Sequence, residues 1–196
     1  MPHFSLRTKI FSVFVVLILG GYLLSRWGFS AEGVPGEFIA ARMQGGLISQ
    51  DIVNISNQMS TDLGRVNDLD QQKKYDEALV LTNQIIQNAA IVRNKAVELS
   101  NQLDRMTRAL SSINSIDARQ AALEGISDRL ALINRLINYS GDLANLLNAL
   151  HNRFSGIKDS AQIPAMIQEI NAEVTAINNF NRQAGESMDR FDQIIK

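Results

Sequence analysis

The sequence predicts an all-α protein, with an N-terminal membrane helix followed by an elongated antiparallel four-helix bundle that packs like a coiled coil. Residues 10–25 form an uncharged, mostly apolar run. After residue 36, most of the chain carries apolar residues at alternating steps of three and four, the spacing of helices that pack side by side. The 196 residues include only three Pro and no Cys, which favours long uninterrupted helices without disulfides.

Residues 1–30 are predicted to be a cytoplasmic stub and a signal-anchor helix. The uncharged run makes a helix of about 24 Å, which is shorter than the bilayer core of about 30 Å. Extended to residues 10–29, the segment spans the membrane, because basic side chains at its ends reach the interface and aromatic ones lie in it. These flanking residues are Arg7, Lys9, Tyr22, Arg26 and Trp27.

The distribution of charge predicts where each part lies. Positive charges precede the apolar run, so the N-terminus should stay in the cytoplasm and the later domain should be extracytoplasmic. The predicted location is therefore the cell membrane, with a single pass. A cleaved signal peptide is the alternative, with a small-x-small site at 28–30 and a secreted product cut after Ser30. Residues 31–36 contain two Gly and one Pro and predict a linker.

The first helix of the bundle is predicted at 37–69 and has the weakest pattern. Gly45, Gly46 and Gly64 each lower its helix propensity by up to about 1 kcal/mol. We therefore expect its start to fray or to bend at Gly45-Gly46. Its apolar positions are Phe38, Met43, Ile48, Ile52, Ile55, Met59, Leu63, Val66 and Leu69.

The second helix is predicted at 75–113, after a polar turn at 67–74. Its apolar positions keep a period of 3.5 residues through five heptads, with no Gly or Pro between them. Thr82 is the single polar member, so this helix should bury one narrow stripe. The positions are Tyr75, Ala78, Thr82, Ile85, Ala89, Val92, Ala96, Leu99, Leu103, Met106, Leu110 and Ile113.

The third helix is predicted at 117–154, with Ser115 as its N-cap and Gly156 just past its end. Two neighbouring apolar stripes predict a wide buried face that contacts two or more helices. One stripe comprises Leu123, Ile126, Leu130, Ile133 and Ile137. The other comprises Leu132, Leu136, Tyr139, Leu143, Leu146 and Leu150.

The fourth helix is predicted at 160–195, with Ser160 as its cap and Pro164 in or near its first turn. Its pattern contains one polar member, Asn181, which either lies in the core and fixes the register or leaves that place to Phe180. The heptad positions are Ile163, Ile167, Ile170, Val174, Ile177, Asn181, Ala184, Met188, Phe191 and Ile195.

Four helices of similar length with short connections predict an up-down-up-down bundle over residues 37–196. One long coiled-coil hairpin pair, or a bundle that forms a homo-oligomer, is the alternative architecture. A protein partner in the cell envelope is expected in either case.

The residue types exclude most of the chemistry that helical bundles support. The chain has two His; His3 precedes the membrane segment, and no Glu stands three residues before His151, so a di-iron site is excluded. Without Cys there are no thiolate ligands or Cys nucleophiles. A formal charge of −1 argues against binding nucleic acid by phosphate neutralisation. We predict no catalytic residue, no cofactor, no metal and no nucleic-acid partner.

The sequence therefore predicts a membrane-anchored, extracytoplasmic helical bundle with a structural, scaffolding or partner-binding role, and not an enzyme. One alternative is a ligand-binding, sensor-like bundle that works with a partner, since the predicted architecture is similar to the periplasmic ligand-binding domains of chemoreceptors. Another is a secreted effector or adhesin after cleavage near Ser30. The 30 Asn and Gln residues are interpreted as a neutral solvated surface, with binding of a partner or a glycan as the alternative.

Overall fold

The computed structural model describes residues 33–157 and 162–196, and these residues form four helices and no strand. The helices are α1 (Gly36–Gln71), α2 (Tyr75–Ala109), α3 (Ile116–Phe154) and α4 (Ile163–Ile194). Within the described ranges, no helix is long and apolar enough to cross a membrane. The predicted anchor at 10–29 lies outside these ranges, with its flanks Arg7, Lys9, Tyr22, Arg26 and Trp27, and so does the predicted cap Ser160.

The helix ends differ from the predicted ones by a few residues. Helix α1 is continuous through Gly45-Gly46 and extends to Gln71. Helix α2 ends at Ala109, because Leu110–Ser112 tighten into a 3₁₀ turn in which the Ile113 N–H donates to the carbonyl of Leu110. Helix α4 begins at Ile163, and Pro164 lies in its first turn as predicted.

The predicted N-cap of α3 is confirmed. Ser115 has extended backbone angles, and its hydroxyl accepts a hydrogen bond of 3.2 Å from the N–H of Ala118. The side chain thereby satisfies one of the N–H groups that a helix start leaves without a partner.

Helices α1 and α3 end in the same hydrogen-bonded motif, although only the second was expected. After α3, Gly156 adopts φ +80, and the N–H of Ile157 donates to the carbonyl of Asn152. After α1, Lys73 adopts φ 59, and the N–H of Lys74 donates to the carbonyl of Leu69. This is the Schellman ending, whose left-handed position favours Gly.

The two endings give opposite expectations for the exchange between Gly and a residue that has a Cβ atom. We expect Lys73→Gly to stabilise the fold and Gly156→Ala to destabilise it, each by about 1 kcal/mol, because the left-handed conformation disfavours a Cβ atom by about that amount. Urea unfolding followed by circular dichroism measures both. If both substitutions shift stability in the same direction, backbone strain does not control these two turns.

One hydrophobic core runs through all four helices. The predicted stripe of α2 is buried at every position except Tyr75, and the stripe of α4 is buried except at Asn181 and Ile195, which are half-buried. The prediction is wrong at three leucine and methionine positions, because Met43 on α1 and Leu123 and Leu130 on α3 are exposed.

Consecutive helices pack most closely: α1 with α2, α2 with α3, and α3 with α4. At Gly45, where a bend was expected, α1 instead packs on α2, and an added Cβ would lie 3.3 Å from Leu99 Cδ1. Helix α3 is linked to α2 by a hydrogen bond of 2.8 Å from the Ser140 hydroxyl to the carbonyl of Ala89.

Helices α1 and α4 meet mainly through long side chains. The rings of Phe38 and Phe191 lie with their centroids 5.2 Å apart, near the start of α1 and the end of α4. We call this junction the α1–α4 seam. It also contains Arg42, one of the buried charged residues.

Candidate functional site

The α1–α4 seam contains a buried ion pair. Arg42 on α1 donates two hydrogen bonds to Asp192 on α4, of 2.6 and 2.7 Å, and the two side chains are 10% and 24% exposed. The Arg42 guanidinium also lies 5.7 Å from the ring centroid of Phe191. Paired hydrogen bonds of this geometry fix the relative position of the two helices, and the cation over the ring adds to their attraction.

A second buried arginine, Arg129 on α3, lies close enough for its charge to interact with that of Arg42. Burial, and then the positive charge of Arg42, lower the pKa of Arg129 to about 9. A pKa of about 9 leaves the guanidinium protonated at neutral pH. Two buried cations therefore interact, Arg42 in the α1–α4 seam and Arg129 on α3.

A cavity of about 50 Å³ opens beside Arg129. Its lining includes the polar residues Ser49 of α1 and Asn178 and Asn181 of α4, while the rest is mostly apolar and includes Ile52 and Leu136. All four helices contribute to it. Neither of the two predicted roles for Asn181 fits, because both Asn181 and Phe180 are half-buried and Asn181 lies at the cavity wall.

The outer face of α3 is a second unusual surface, and we define it as Ile116, Gln120, Leu123, Ser127, Leu130 and Asn134. All six residues are exposed, and none is charged. The three apolar members are spaced by seven residues and are 71%, 52% and 39% exposed in chain order. The next position in this series, Ile137, packs against the core.

This gradual burial has a geometric reason. In a straight α-helix, positions seven residues apart rotate by about 20° per heptad around the axis. The series that starts on the outside at Ile116 therefore turns towards the core by Ile137. Leu123 and Leu130, which the sequence predicts in a buried stripe with Ile126, Ile133 and Ile137, therefore lie on the outside.

Two charged groups of α3 near this face pair with residues of α4. Arg135 donates a hydrogen bond of 3.1 Å to Glu173, and Glu124 accepts one from Arg190. Burial and then the neighbouring Glu124 carboxylate raise the pKa of Asp128 above its ordinary value. These groups pair between α3 and α4, beside the six uncharged residues of the outer face.

The other residues considered from the sequence are not brought together. His151 lies half-buried in the last turn of α3. Across the two described ranges, no three His, Cys, Asp or Glu side chains are grouped so that they could hold a metal ion. His3 lies outside the described residues.

Comparison with protein families, curated proteins and solved structures finds no match to this chain. The outer face of α3 and the cavity beside Arg129 are therefore the candidate functional features of the described residues. The apolar stripes predicted from the sequence do not include Arg129, because Arg is most often exposed on a helix. The missed signal was the series Ala122, Arg129, Leu136 and Leu143, spaced by seven residues and buried throughout.

Proposed function

We propose that the protein is a membrane-anchored, extracytoplasmic scaffold of the cell envelope, in which neighbouring copies associate through the outer face of α3. In this proposal residues 10–29 hold the chain in the membrane with the N-terminus in the cytoplasm. Residues 37–196 form an up-down-up-down bundle with coiled-coil-like packing. The protein is not an enzyme and uses no cofactor, metal or nucleic acid.

The observation that carries the proposal is the neutral, partly apolar outer face of α3. Ile116, Leu123 and Leu130 are exposed at heptad spacing, and such spacing is what a second helix packs against. A second copy fits this face better than a charged partner does. When two identical surfaces meet, each charged group faces a group of the same charge and is repelled by it. Amides and hydroxyls have no such conflict, because each can donate a hydrogen bond to the same group on the other copy or accept one from it.

The tether fixes how two copies would meet. Copies anchored in one membrane point the same way, so their two-fold axis is perpendicular to the membrane and their α3 helices run parallel. Each residue of the outer face then lies opposite its own counterpart. Since α1 starts directly after the linker, the start of α3 and the end of α4 lie at the end of the bundle nearest the anchor.

The energy of this contact is modest, which gives the anchor a role. Full burial of a Leu side chain contributes about 1.5–3 kcal/mol, so the half-exposed Leu123 and Leu130 contribute about 1 kcal/mol each. Association of free proteins costs about 4 kcal/mol or more, because the partners lose translational and rotational freedom. Confinement to one membrane raises the effective concentration and makes a weak contact sufficient.

Energy transfer between labelled copies tests the proposal. Full-length chains labelled at the C-terminus with donor or acceptor are reconstituted in lipid vesicles at increasing dilution. Exchanging Leu123→Gln together with Leu130→Gln should weaken association at least tenfold, since about 1.4 kcal/mol corresponds to a factor of ten. The paired change Val80→Gln and Ile91→Gln on exposed positions of α2 is the matched control. Equal energy transfer in the wild type and the α3 variant contradicts the proposal.

The anchor itself is tested separately by the mass of the mature protein. An intact N-terminus in the membrane fraction supports the tether. A chain that starts at Ala31 and appears in the medium supports the secreted alternative, in which confinement no longer aids association.

A further inference from the structure

We propose that the outer face of α1 is a second contact between copies of this chain, which joins the pairs formed through α3 into rows along the membrane. The inference rests on the proposed function, that is, on the membrane tether and on pairing through the outer face of α3. We define the outer face of α1 as Ala40, Met43, Leu47, Asn54, Gln58 and Thr61.

The outer face of α1 is exposed, uncharged and regularly spaced. All six residues are exposed, with Met43 and Leu47 at 58% and 61%. Four of the six follow one another at steps of seven residues: Ala40, Leu47, Asn54 and Thr61. This is the spacing at which one helix packs along another. The α3 series turns into the core at Ile137, whereas the α1 series stays on the outside at all four positions.

Two acidic groups beside this face pair with basic groups of α2. Asp51 accepts a hydrogen bond of 2.7 Å from the Lys95 ammonium, and the Glu37 carboxylate lies 3.8 Å from the Arg105 guanidinium. The six residues of the face are uncharged. When two copies meet here, no charged residue of the face is therefore placed against its own counterpart, and the amides and the hydroxyl can pair with their own kind.

The short tether places this face where neighbouring copies are held together. Val34 packs against the core, so five residue steps separate the bundle from the end of the proposed anchor at residue 29. Five steps of extended chain reach about 18 Å at most. Met43 and Leu47 lie within about 17 Å of the start of α1 along its axis. The apolar part of the face is therefore near the membrane, and at the same height in every tethered copy.

Two faces that each pair with themselves produce a row of copies. Helices α1 and α3 both pack on α2 and are not closely packed on each other, so their outer faces are separate surfaces. Between copies in one membrane, both pairings have a two-fold axis perpendicular to the membrane. Half-turns about two parallel axes combine into a translation, so the pairings repeat along a line and do not close.

The contact through α1 is the weaker of the two. Its large apolar residues are Met43 and Leu47, whereas the outer face of α3 has three. The free energy gained on association rises with the apolar area that leaves water. Pairs through α3 should therefore form first as the density of copies increases, and rows should form from those pairs.

Disulfide crosslinking of the full chain in intact cells tests the second contact. Ala40→Cys alone and Ser127→Cys alone should each give dimers on mild oxidation, because each introduces the only thiol of the chain on one of the two faces. The chain with both substitutions should give trimers and larger species. Asn83→Cys, at an exposed position of α2, measures chance collisions, and its combination with Ser127→Cys should stop at dimers.

Substitutions on the face make the result specific. Adding Met43→Gln and Leu47→Gln to the chain with both Cys residues should remove the species larger than dimers. The dimers that remain through α3 show that this variant is folded and tethered. Adding Val80→Gln and Ile91→Gln, at exposed positions of α2, is the matched control and should preserve the larger species.

The possible outcomes separate this inference from the proposed function. Dimers of the Ser127→Cys chain, without dimers of the Ala40→Cys chain above the Asn83→Cys level, overturn the contact through α1 and leave the proposed function standing. Dimers of the Ala40→Cys chain alone, or of neither chain, overturn the rows and the contact through α3 together. Disulfides between differently tagged Ala40→Cys and Ser127→Cys chains would reveal a head-to-tail contact and would also overturn the inference.

Discussion

Asp192→Ala is expected to destabilise the fold by about 3 kcal/mol. The substitution removes both hydrogen bonds between Asp192 and Arg42, a mostly buried cation that is also repelled by Arg129. Removing one member of a buried ion pair commonly costs about 3–5 kcal/mol, and the partial exposure of Asp192 places the effect at the lower end. Urea unfolding of residues 31–196, followed by circular dichroism, measures the change.

The double exchange Arg42→Met and Asp192→Leu should restore most of this loss, because apolar groups of similar size need no charge partner. The exposed pair Arg182 and Glu186 on α4 is the matched control, and Glu186→Ala should change stability by less than about 0.5 kcal/mol. If Asp192→Ala and Glu186→Ala have equal effects on stability, the Arg42–Asp192 pair is solvated and not buried.

Phe191→Ala is expected to have the largest effect, a loss of about 3–5 kcal/mol. The side chain is fully buried, contacts the ring of Phe38 and lies beneath the Arg42 guanidinium, so its removal leaves a cavity and takes away two specific contacts. Because Phe38 and Arg42 belong to α1, the substitution should loosen the α1–α4 seam before the other helix pairs. Hydrogen exchange should therefore accelerate first in α1 and α4.

Phe180 on the same helix is the control for this substitution, since it is only half-buried. Phe180→Ala should cost about 1–2 kcal/mol, in proportion to the smaller apolar area that it removes from water. An equal loss at Phe180 and Phe191 would mean that α4 is rotated relative to the arrangement described here.

The sequence was sufficient to predict the four helices and most of the residues of the core. Ser115 and Gly156 act locally, so their roles could be predicted from residue type and position. Lys73 could not, because the left-handed turn there is imposed by the connection between α1 and α2 and not by the residue itself.

The two candidate surfaces were harder to predict because they depend on rotation about the helix axes. A heptad pattern fixes which residues share a face, but the difference between 3.5 and 3.6 residues per turn decides where that face points along a long helix. As a result of this difference, Leu123 and Leu130 are exposed and Arg129 is buried. Arg42 was missed for another reason: its partner Asp192 lies 150 residues away in the chain.

The association of tethered copies through the outer face of α3 can be tested directly by cysteine crosslinking in intact cells. The chain has no Cys, so Gln120→Cys, Ser127→Cys and Asn134→Cys each introduce a unique thiol on that face. Asn83→Cys, at an exposed position of α2, is the control. Parallel pairing brings each α3 position next to its own counterpart, so mild oxidation should give disulfide-linked dimers at all three and few at Asn83. Dimers at no α3 position above the Asn83 level would contradict the account.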